Sequence, residues 1–284
     1  MADPQDKLDL LRHADFEKVA RFIESTTGIR VPPAKKTMVE GRLRRRAKAL
    51  GLANLEDYCR VVFEEGGFDD EAVHLIDAVT TNKTDFFREP SHFDTMRTRC
   101  LPEATERGAG IARPYKVWSA ACSIGAEPYT LAMVLADYGA STGGDWRFQI
   151  LGSDISTQVL AKAARAVYPE DMIEPVPMDM RKRYLLRSKD SAKKLVRIAP
   201  ELRRTLNLLH LNLMDSRYPA DPDFDAIFCR NLLIYFDRAT QDAVVARLCK
   251  HLRPGGYLFL GHAESLAGKD LPLEWLGDAV FKRA

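Results

Sequence analysis

The sequence predicts an α/β chain: an all-α N-terminal domain, then a mostly parallel sheet that carries a small β insert. Three observations predict it. Residues 6–80 show helical periodicity and no convincing strand. From Tyr115 onward, short apolar runs alternate with helical stretches, the signature of βαβ units. Between Tyr168 and Arg204 the alternation fails around four prolines and the mixed-charge run Arg187-Ser-Lys-Asp-Ser-Ala-Lys-Lys194.

In chain order, Phe16, Val19, Ala20 and Ile23 share one face of a first helix. Pro32-Pro33 opens a second, since proline at the first helical position removes no hydrogen bond the helix would use. It runs through Leu50 to Gly51, with Val39, Leu43, Ala47 and Leu50 as its apolar stripe. Helices follow near 55–64 and 70–79. Residues 81–110 read as a linker and connecting helix, with Ser91 capping a helix that begins at His92. Strands are expected at 115–120, 148–152, 206–211, 226–228 and 256–261, with helices at 128–138, 157–166 and 240–252. The segments 184–186 and 195–198 pair as a small hairpin, and 281–284 adds a final edge strand. The domains are therefore 1–80, all-α; 81–110, the connection; and 111–284, the sheet domain, with its β-subdomain near 180–200.

Composition narrows the function. Hydrophobic residues make up 46% and charged residues 29%, ordinary for a soluble globular protein. A formal net charge of +2 argues against a chain that works by coating nucleic acid. No apolar run approaches the roughly 20 residues of a membrane span, and the N-terminus lacks the order of a secretory signal. Cys59, Cys100, Cys122, Cys229 and Cys249 are scattered with no C-x-x-C pair, so neither a zinc site nor a disulfide framework is expected. The chain reads as cytoplasmic, reduced, metal-free and monomeric.

The stretch Phe224-Asp225-Ala226-Ile227-Phe228-Cys229-Arg230-Asn231-Leu232-Leu233-Ile234-Tyr235-Phe236-Asp237 carries the most information. It reads as a buried strand, yet Arg230 and Asn231 stand where it leaves the core. Polar groups there are costly unless something satisfies them, and in open α/β sheets ligands bind at the carboxyl ends of strands. Three other strand ends agree. The turn Trp118-Ser-Ala-Ala-Cys-Ser-Ile-Gly-Ala-Glu-Pro128 has small side chains and leads into a helix N-terminus. With Gly125 its only glycine it is no pyrophosphate cradle, and taken alone it is a tight βα turn. Asp154 ends the second strand, where an acid accepts both ribose hydroxyls or else caps the next helix. Asn212-Leu213 ends the third. Four such ends together suit a nucleoside without phosphate, S-adenosylmethionine rather than NAD.

These segments also resemble a known family. Thr80-Thr-Asn-Lys-Thr-Asp-Phe-Phe-Arg-Glu89, Trp118 to Tyr129, Phe224 to Asp237 and Pro254-Gly-Gly-Tyr-Leu-Phe-Leu-Gly-His-Ala-Glu-Ser265 are similar, in order, to the motifs of bacterial CheR-type chemotaxis receptor methyltransferases. The likeness spans nearly the whole chain and is weakest before residue 70. It implies a Rossmann-like S-adenosylmethionine-dependent methyltransferase sheet. The activity it implies is protein-glutamate O-methylation: glutamates on a transmembrane chemoreceptor's cytoplasmic helices become methyl esters, with S-adenosylhomocysteine as product. By the resemblance, Asn82, Thr84 and Arg88 hold the amino-acid part of S-adenosylmethionine, Arg88 as a forked donor to its carboxylate. Without it, Asn82 and Thr84 read as a turn. Glu127 faces the amino group, Asp154 the ribose, and Asn212 and Leu213 the adenine. Arg230, Asn231 and Tyr235 border the methyl and the incoming glutamate, Arg230 and Tyr235 as positioning groups; a packed aromatic is the plainer reading of Tyr235.

Two departures leave the ligand set intact: Ala126, where the family commonly has a second acid, and Ala263, where it has serine. The β insert corresponds to a subdomain that some members use to dock a receptor's C-terminal tail. The loop 188–194 lacks the glycines of tail-binding members, which puts that role in doubt here. Neither a general base nor a metal is expected, because a glutamate of pKa about 4.3 is already ionised at neutral pH. His262 reads as structural rather than as a base. Asn231-Leu-Leu-Ile-Tyr235 lacks the prolines of the N-P-P-Y loop of base methylators, which argues against a nucleic-acid substrate. A protein methyltransferase of a non-chemotactic receptor-like pathway and a cofactor-binding regulator stay open.

From Arg30 to Lys48 there are eight Lys/Arg against Glu40 alone. The plain reading is a solvated face. The sharper one is that Arg42, Arg44, Arg45 and Lys48 steer acidic receptor helices, so that reversing Arg44 and Arg45 to glutamate would raise the KM for receptor alone.

Overall fold

A computed structural model describes residues 9–80, 83–143, 145–266 and 271–284. The chain divides into two units, Met1–Thr81 and Asn82–Ala284.

The first unit is helical: α1 (His13–Thr27), a 3₁₀ turn (Pro33–Lys35), α2 (Lys36–Ala49), α3 (Leu55–Phe63) and α4 (Phe68–Val79). Local chemistry sets the ends. Gly28, at φ 71°, closes α1 by donating its N–H to Glu24 O. Asn54 caps α3 by accepting the Asp57 N–H at 2.8 Å. Phe16, Val19, Ile23, Val39, Leu43 and Tyr58 are buried between the helices. Leu50, expected in the α2 stripe, is instead 41% exposed, because the helix ends at Ala49.

The basic face of α2 is partly committed to this unit's own packing. Arg46 forks onto Glu71, which also accepts from Tyr58 Oη at 3.1 Å. Arg42 donates to the carbonyls of Ala78 and Thr80 at 2.9 and 2.6 Å, groups the end of α4 leaves unpaired. Arg44 donates to Asp9 O at 2.8 Å. Arg45 and Lys48 are exposed.

The second unit begins with α5 (Ser91–Thr95), which runs through a π turn (Met96–Cys100) into α6 (Leu101–Glu106). Then come β1 (Tyr115–Ala120), α7 (Ala126–Ser141), β2 (Phe148–Asp154), α8 (Thr157–Arg165), β3 (Val167–Pro169), α9 (Met178–Tyr184), β4 (Leu185–Arg187), β5 (Leu195–Ile198) and α10 (Pro200–Arg203). The chain finishes with β6 (Leu206–His210), β7 (Phe224–Cys229), α11 (Arg238–His251), β8 (Leu252–Leu260), β9 (Leu273–Gly277) and β10 (Val280–Arg283). The main sheet has the order β6-β2-β1-β7-β8-β10-β9. Its first five strands are parallel, and β10 runs antiparallel to both neighbours. This is the Rossmann-like, mostly parallel sheet that the sequence predicts. The insert is a second sheet, β3-β5-β4, in which β4 and β5 pair as expected, Leu185 opposite Ile198.

Three expectations need correction. The last strand is not at the edge: β10 lies between β8 and β9, and the sequence reading missed β9. Asp278 and Ala279, at φ 47° and 56°, form a tight turn that folds the chain back inside its own hairpin partner. The insert gains β3, only three residues long. Ser91 does not cap α5 but begins it, behind Pro90.

Glu103 of α6 ties the helix to the antiparallel side of the sheet. It accepts from Lys282 Nζ on β10 and Tyr257 Oη on β8, each at 2.6 Å. Lys282 and then Tyr257 pull its carboxyl down to about 2. A depressed carboxylate adds stability at neutral pH that is lost as pH falls from its unfolded value near 4.5 towards 2. Glu103→Gln should therefore lower the urea midpoint at pH 7 and flatten its decline across that acid window. A variant with the wild-type acid profile would exclude this role.

Candidate active site

Parallel pairing brings the carboxyl ends of β6, β2, β1 and β7 to one side of the sheet. The turn after β1 is tightly held. Ala121, Ser123 and Gly125 have φ of 61°, 51° and 93°. A Cβ on Gly125 would stand 2.9 Å from both Ala163 Cβ and Tyr168 Oη, so only glycine fits. Asp154, at the end of β2, is buried. Its Oδ2 accepts the Ser123 N–H at 2.8 Å and its Oδ1 the Ser156 N–H at 2.9 Å. Ser156, not Asp154, caps α8, by accepting the Val159 N–H. Beyond β6, Asn212 Oδ1 accepts the Met214 N–H at 3.0 Å, and the carbonyl of buried Leu213 accepts from Tyr218 Oη and Arg247 Nη2 at 2.8 and 3.0 Å.

Arg230, just past β7, organises the centre. Its side chain is 2% exposed. Nη1 donates to Glu127 Oε2 at 3.1 Å, Nη2 to Glu89 Oε2 at 2.9 Å and also to the Arg88 carbonyl. The guanidinium lies 5.5 Å from the centre of the Phe93 ring, which stacks on Phe228, itself stacked on Phe259. Glu127 Oε1 accepts from Ser119 Oγ at 2.7 Å, joining α7 to β1. A carboxylate accepts about four hydrogen bonds, so Glu127 keeps acceptor capacity for an ammonium group.

Asn231, at φ 57°, is in the left-handed region that asparagine tolerates better than most residues. Its Nδ2 donates to Glu89 Oε1 at 3.0 Å and its backbone N–H to Glu264 Oε2 at 3.0 Å. Glu264 also accepts the Gly261 N–H at 2.6 Å. Burial raises the Glu264 carboxyl, while the backbone donors pull the other way. A Cβ on Gly261 would meet Asn231 Nδ2 at 2.5 Å, so this close approach requires glycine. Burial also acts to raise the Glu89 carboxyl, but Asn231 and Arg230 outweigh it and hold it below the ordinary value.

The loop before α5 delivers Glu89. Phe86 is buried edge-on against Tyr168, and the Phe87 N–H donates to Thr130 Oγ1 at 3.2 Å. Phe87 and Glu89 take φ of 52° and 55°. Thr84 and Arg88 are half-buried on this loop, with Arg88 Nη1 donating to Lys83 O at 3.3 Å. Asn82 lies outside the described residues. Tyr235, half-buried, ends a 3₁₀ turn (Leu233–Tyr235) beyond β7. The structure thus gathers Glu127, the Arg88 backbone and Glu89 on Arg230, and Asn231 joins them through Glu89, an acid to which sequence reasoning gave no role. Glu264 and Ser119 were missed as well. All three lie inside the motifs that carry the resemblance, and acids beside Arg88 and Gly261 were the available signal.

A parallel sheet with such strand ends is one that S-adenosylmethionine-dependent methyltransferases use, and two family models place the chain in that class. The model of the CheR methyltransferase S-adenosylmethionine-binding domain matches residues 82–279, and that of the CheR methyltransferase all-alpha domain matches residues 14–80. The chain belongs to the CheR methyltransferase family. Among similar proteins is the chemotaxis protein methyltransferase of Borreliella burgdorferi, 34% identical and covering 98% of each chain. That of Escherichia coli is 36% identical over 95% of this chain and 91% of its own. That of Klebsiella aerogenes is 38% identical over 95% and 90%.

Glu89→Gln should lower the melting temperature and weaken S-adenosylhomocysteine binding measured by calorimetry. Breaking a buried ion pair costs roughly 3–5 kcal/mol, of which Glu127 retains part. Unchanged melting together with unchanged affinity would show that Glu89 does not organise the site.

Proposed function

We propose that this chain methylates glutamate side chains on the cytoplasmic helices of a transmembrane chemoreceptor, in the adaptation branch of chemotaxis. The observation that carries the reading is the set of strand-end groups, Asp154, Glu127, Arg230 and Asn231, in a chain about 35% identical to chemotaxis protein methyltransferases over nearly its full length.

The donor set fits S-adenosylmethionine. Asp154 offers acceptors for a ribose diol, Glu127 for an ammonium, Arg88 a fork for a carboxylate, and Asn212 with Leu213 an adenine edge; Thr84 and Asn82 complete the amino-acid end. When bound, the cofactor supplies a methyl group on a positively charged sulfur. The residues around it have to align and dehydrate a substrate carboxylate that is already ionised at neutral pH. Good alignment can supply about 7–11 kcal/mol of a barrier. Arg230, held by two carboxylates and an aromatic face, is the positioning group that keeps Glu127 in place. Tyr235 borders the incoming glutamate. Attack by a carboxylate on a sulfonium cancels opposite charges, which suits a site that excludes water.

Methyl transfer from labelled S-adenosylmethionine to a receptor cytoplasmic fragment, followed by mild alkali, tests the reading. Release of the label as methanol is expected, since methyl esters hydrolyse. Alkali-stable label would mean nitrogen or carbon methylation and would sink it.

Steering by α2 is proposed for the exposed charges, because Arg42 and Arg44 already serve carbonyls in their own unit. Arg45→Glu with Lys48→Glu should raise the KM for receptor roughly tenfold at low salt, with cofactor affinity unchanged. Receptor kinetics like those of the wild type at low salt would exclude steering by this face.

A further inference from the structure

Glu89 has a second side. His92, on α5, places Nδ1 3.6 Å from Glu89 Oε2. His262, in the turn after β8, packs edge-on against the His92 ring with 4.8 Å between centroids. One donor atom from each of Glu89, His92 and His262 lies within 4.8 Å of the other two.

His92 is built like a ligand. Its side chain is fully buried, and Nε2 is 2.6 Å from the carbonyl of Asp278. Only a protonated nitrogen hydrogen-bonds to a carbonyl, so the Nε2 proton points there and Nδ1 carries the lone pair of the neutral ring. That Nδ1 is buried with no hydrogen-bond partner, whereas buried polar atoms are ordinarily satisfied. Histidines that hold metals characteristically donate the other ring N–H to a carbonyl or carboxylate. Two of the ligands form a Glu-x-x-His pair, Glu89-Pro-Ser-His92, in the chain itself.

We infer that Glu89, His92 and His262 form a binding site for a divalent transition-metal ion of the zinc type. Two imidazoles and one carboxylate are a donor set that suits zinc, whereas calcium and magnesium favour all-oxygen shells. A tetrahedral ion with bonds of roughly 2.1 Å holds its ligand atoms about 3.4 Å apart, so the cluster must contract slightly. His262 supplies that movement: it is exposed, and its Nε2 lies only at 3.4 Å from Ser91 Oγ. The fourth position is open to water or an outside ligand. The ion would share Glu89 Oε2 with Arg230, whose Nε and Nη2 lie 3.3 and 2.9 Å from that oxygen. Metal binding therefore draws Glu89 from Arg230 and slows methyl transfer. This consequence rests on the function proposed above; the site itself does not.

The full chain, stripped with chelator, is titrated with Zn²⁺ by calorimetry and with Co²⁺ by visible absorption. The wild type is expected to bind one equivalent of Zn²⁺ and to give the intense bands of tetrahedral cobalt. His262→Ala, at an exposed position, should weaken Zn²⁺ binding at least about tenfold and abolish the bands, while His262→Cys, which supplies another zinc ligand, restores them. No saturable Zn²⁺ binding by the wild type would overturn the site. So would affinity unchanged in His262→Ala, since the ion would then sit elsewhere. Zn²⁺ should slow methyl transfer by the wild type and not by His262→Ala; binding without slowing would overturn the regulatory consequence alone. A metal-free enzyme that transfers no methyl would count against the proposed function and not against the site.

Discussion

A guanidinium carried out of the hydrophobic layer by β7 constrains everything around it. Arg230 is 2% exposed, so its charge must be met inside the protein. Glu127 meets it from the first turn of α7 and Glu89 from the loop before α5. Each acid then imposes geometry on its own segment. Glu127 reaches Arg230 only because the turn after β1 closes sharply around Gly125, and Glu89 only because two successive-but-one residues, Phe87 and Glu89, accept positive φ. Backbone strain of that sort persists where surrounding contacts over-determine it. Here the buried Phe86, the Phe87 bond to Thr130 and the Arg230 bond to the Arg88 carbonyl do so.

Buried ion pairs are weak sources of net stability, but an arrangement that leaves one of their charges unmatched is costly. Arg230 has several matched contacts in a fixed fork, so a shift of β7 relative to α7 or the Glu89 loop breaks more than one at once. Asn231 extends the same logic. Its side chain binds Glu89 and its backbone binds Glu264, which also holds Gly261 at the end of β8. The ends of β1, β7 and β8 are thereby linked through polar groups, on top of the backbone ladder that pairs the strands.

Much of this fold was legible because strands buried on both faces read as apolar runs. All six residues of β7 are buried, and its one acid, Asp225, is matched by Arg113 at 2.7 Å on both oxygens. The hairpin of β9 and β10 was not legible, since Leu273–Gly277 includes exposed positions and its turn, Asp278-Ala279, lacks the usual Asn-Gly or Asp-Gly signal. In the site, strand-end residues could be read because parallel strands end on one side. Glu89, His92 and Glu264 could not, for their partners lie 141, 186 and 33 residues away, and no periodicity encodes such distances. Nor does any periodicity show that His262, in the turn after β8, packs edge-on against His92 of α5.

On the function proposed above, the same hub would let one site serve a cation and an anion in turn. Glu89, Glu127 and Asp154 outnumber Arg230 and Arg88, so the strand ends carry excess negative charge where a cationic cofactor is expected to lie. A substrate carboxylate would be repelled from that surface by itself and tolerated once the cation is there. Mobile acids would blur this difference by turning to follow each charge. Fixed ones keep it, since groups locked by their own hydrogen bonds do not reorganise when charge moves past them. Arg230 is what fixes them. On the function proposed above, its contribution would lie less in touching the reacting atoms than in denying Glu89 and Glu127 any other orientation.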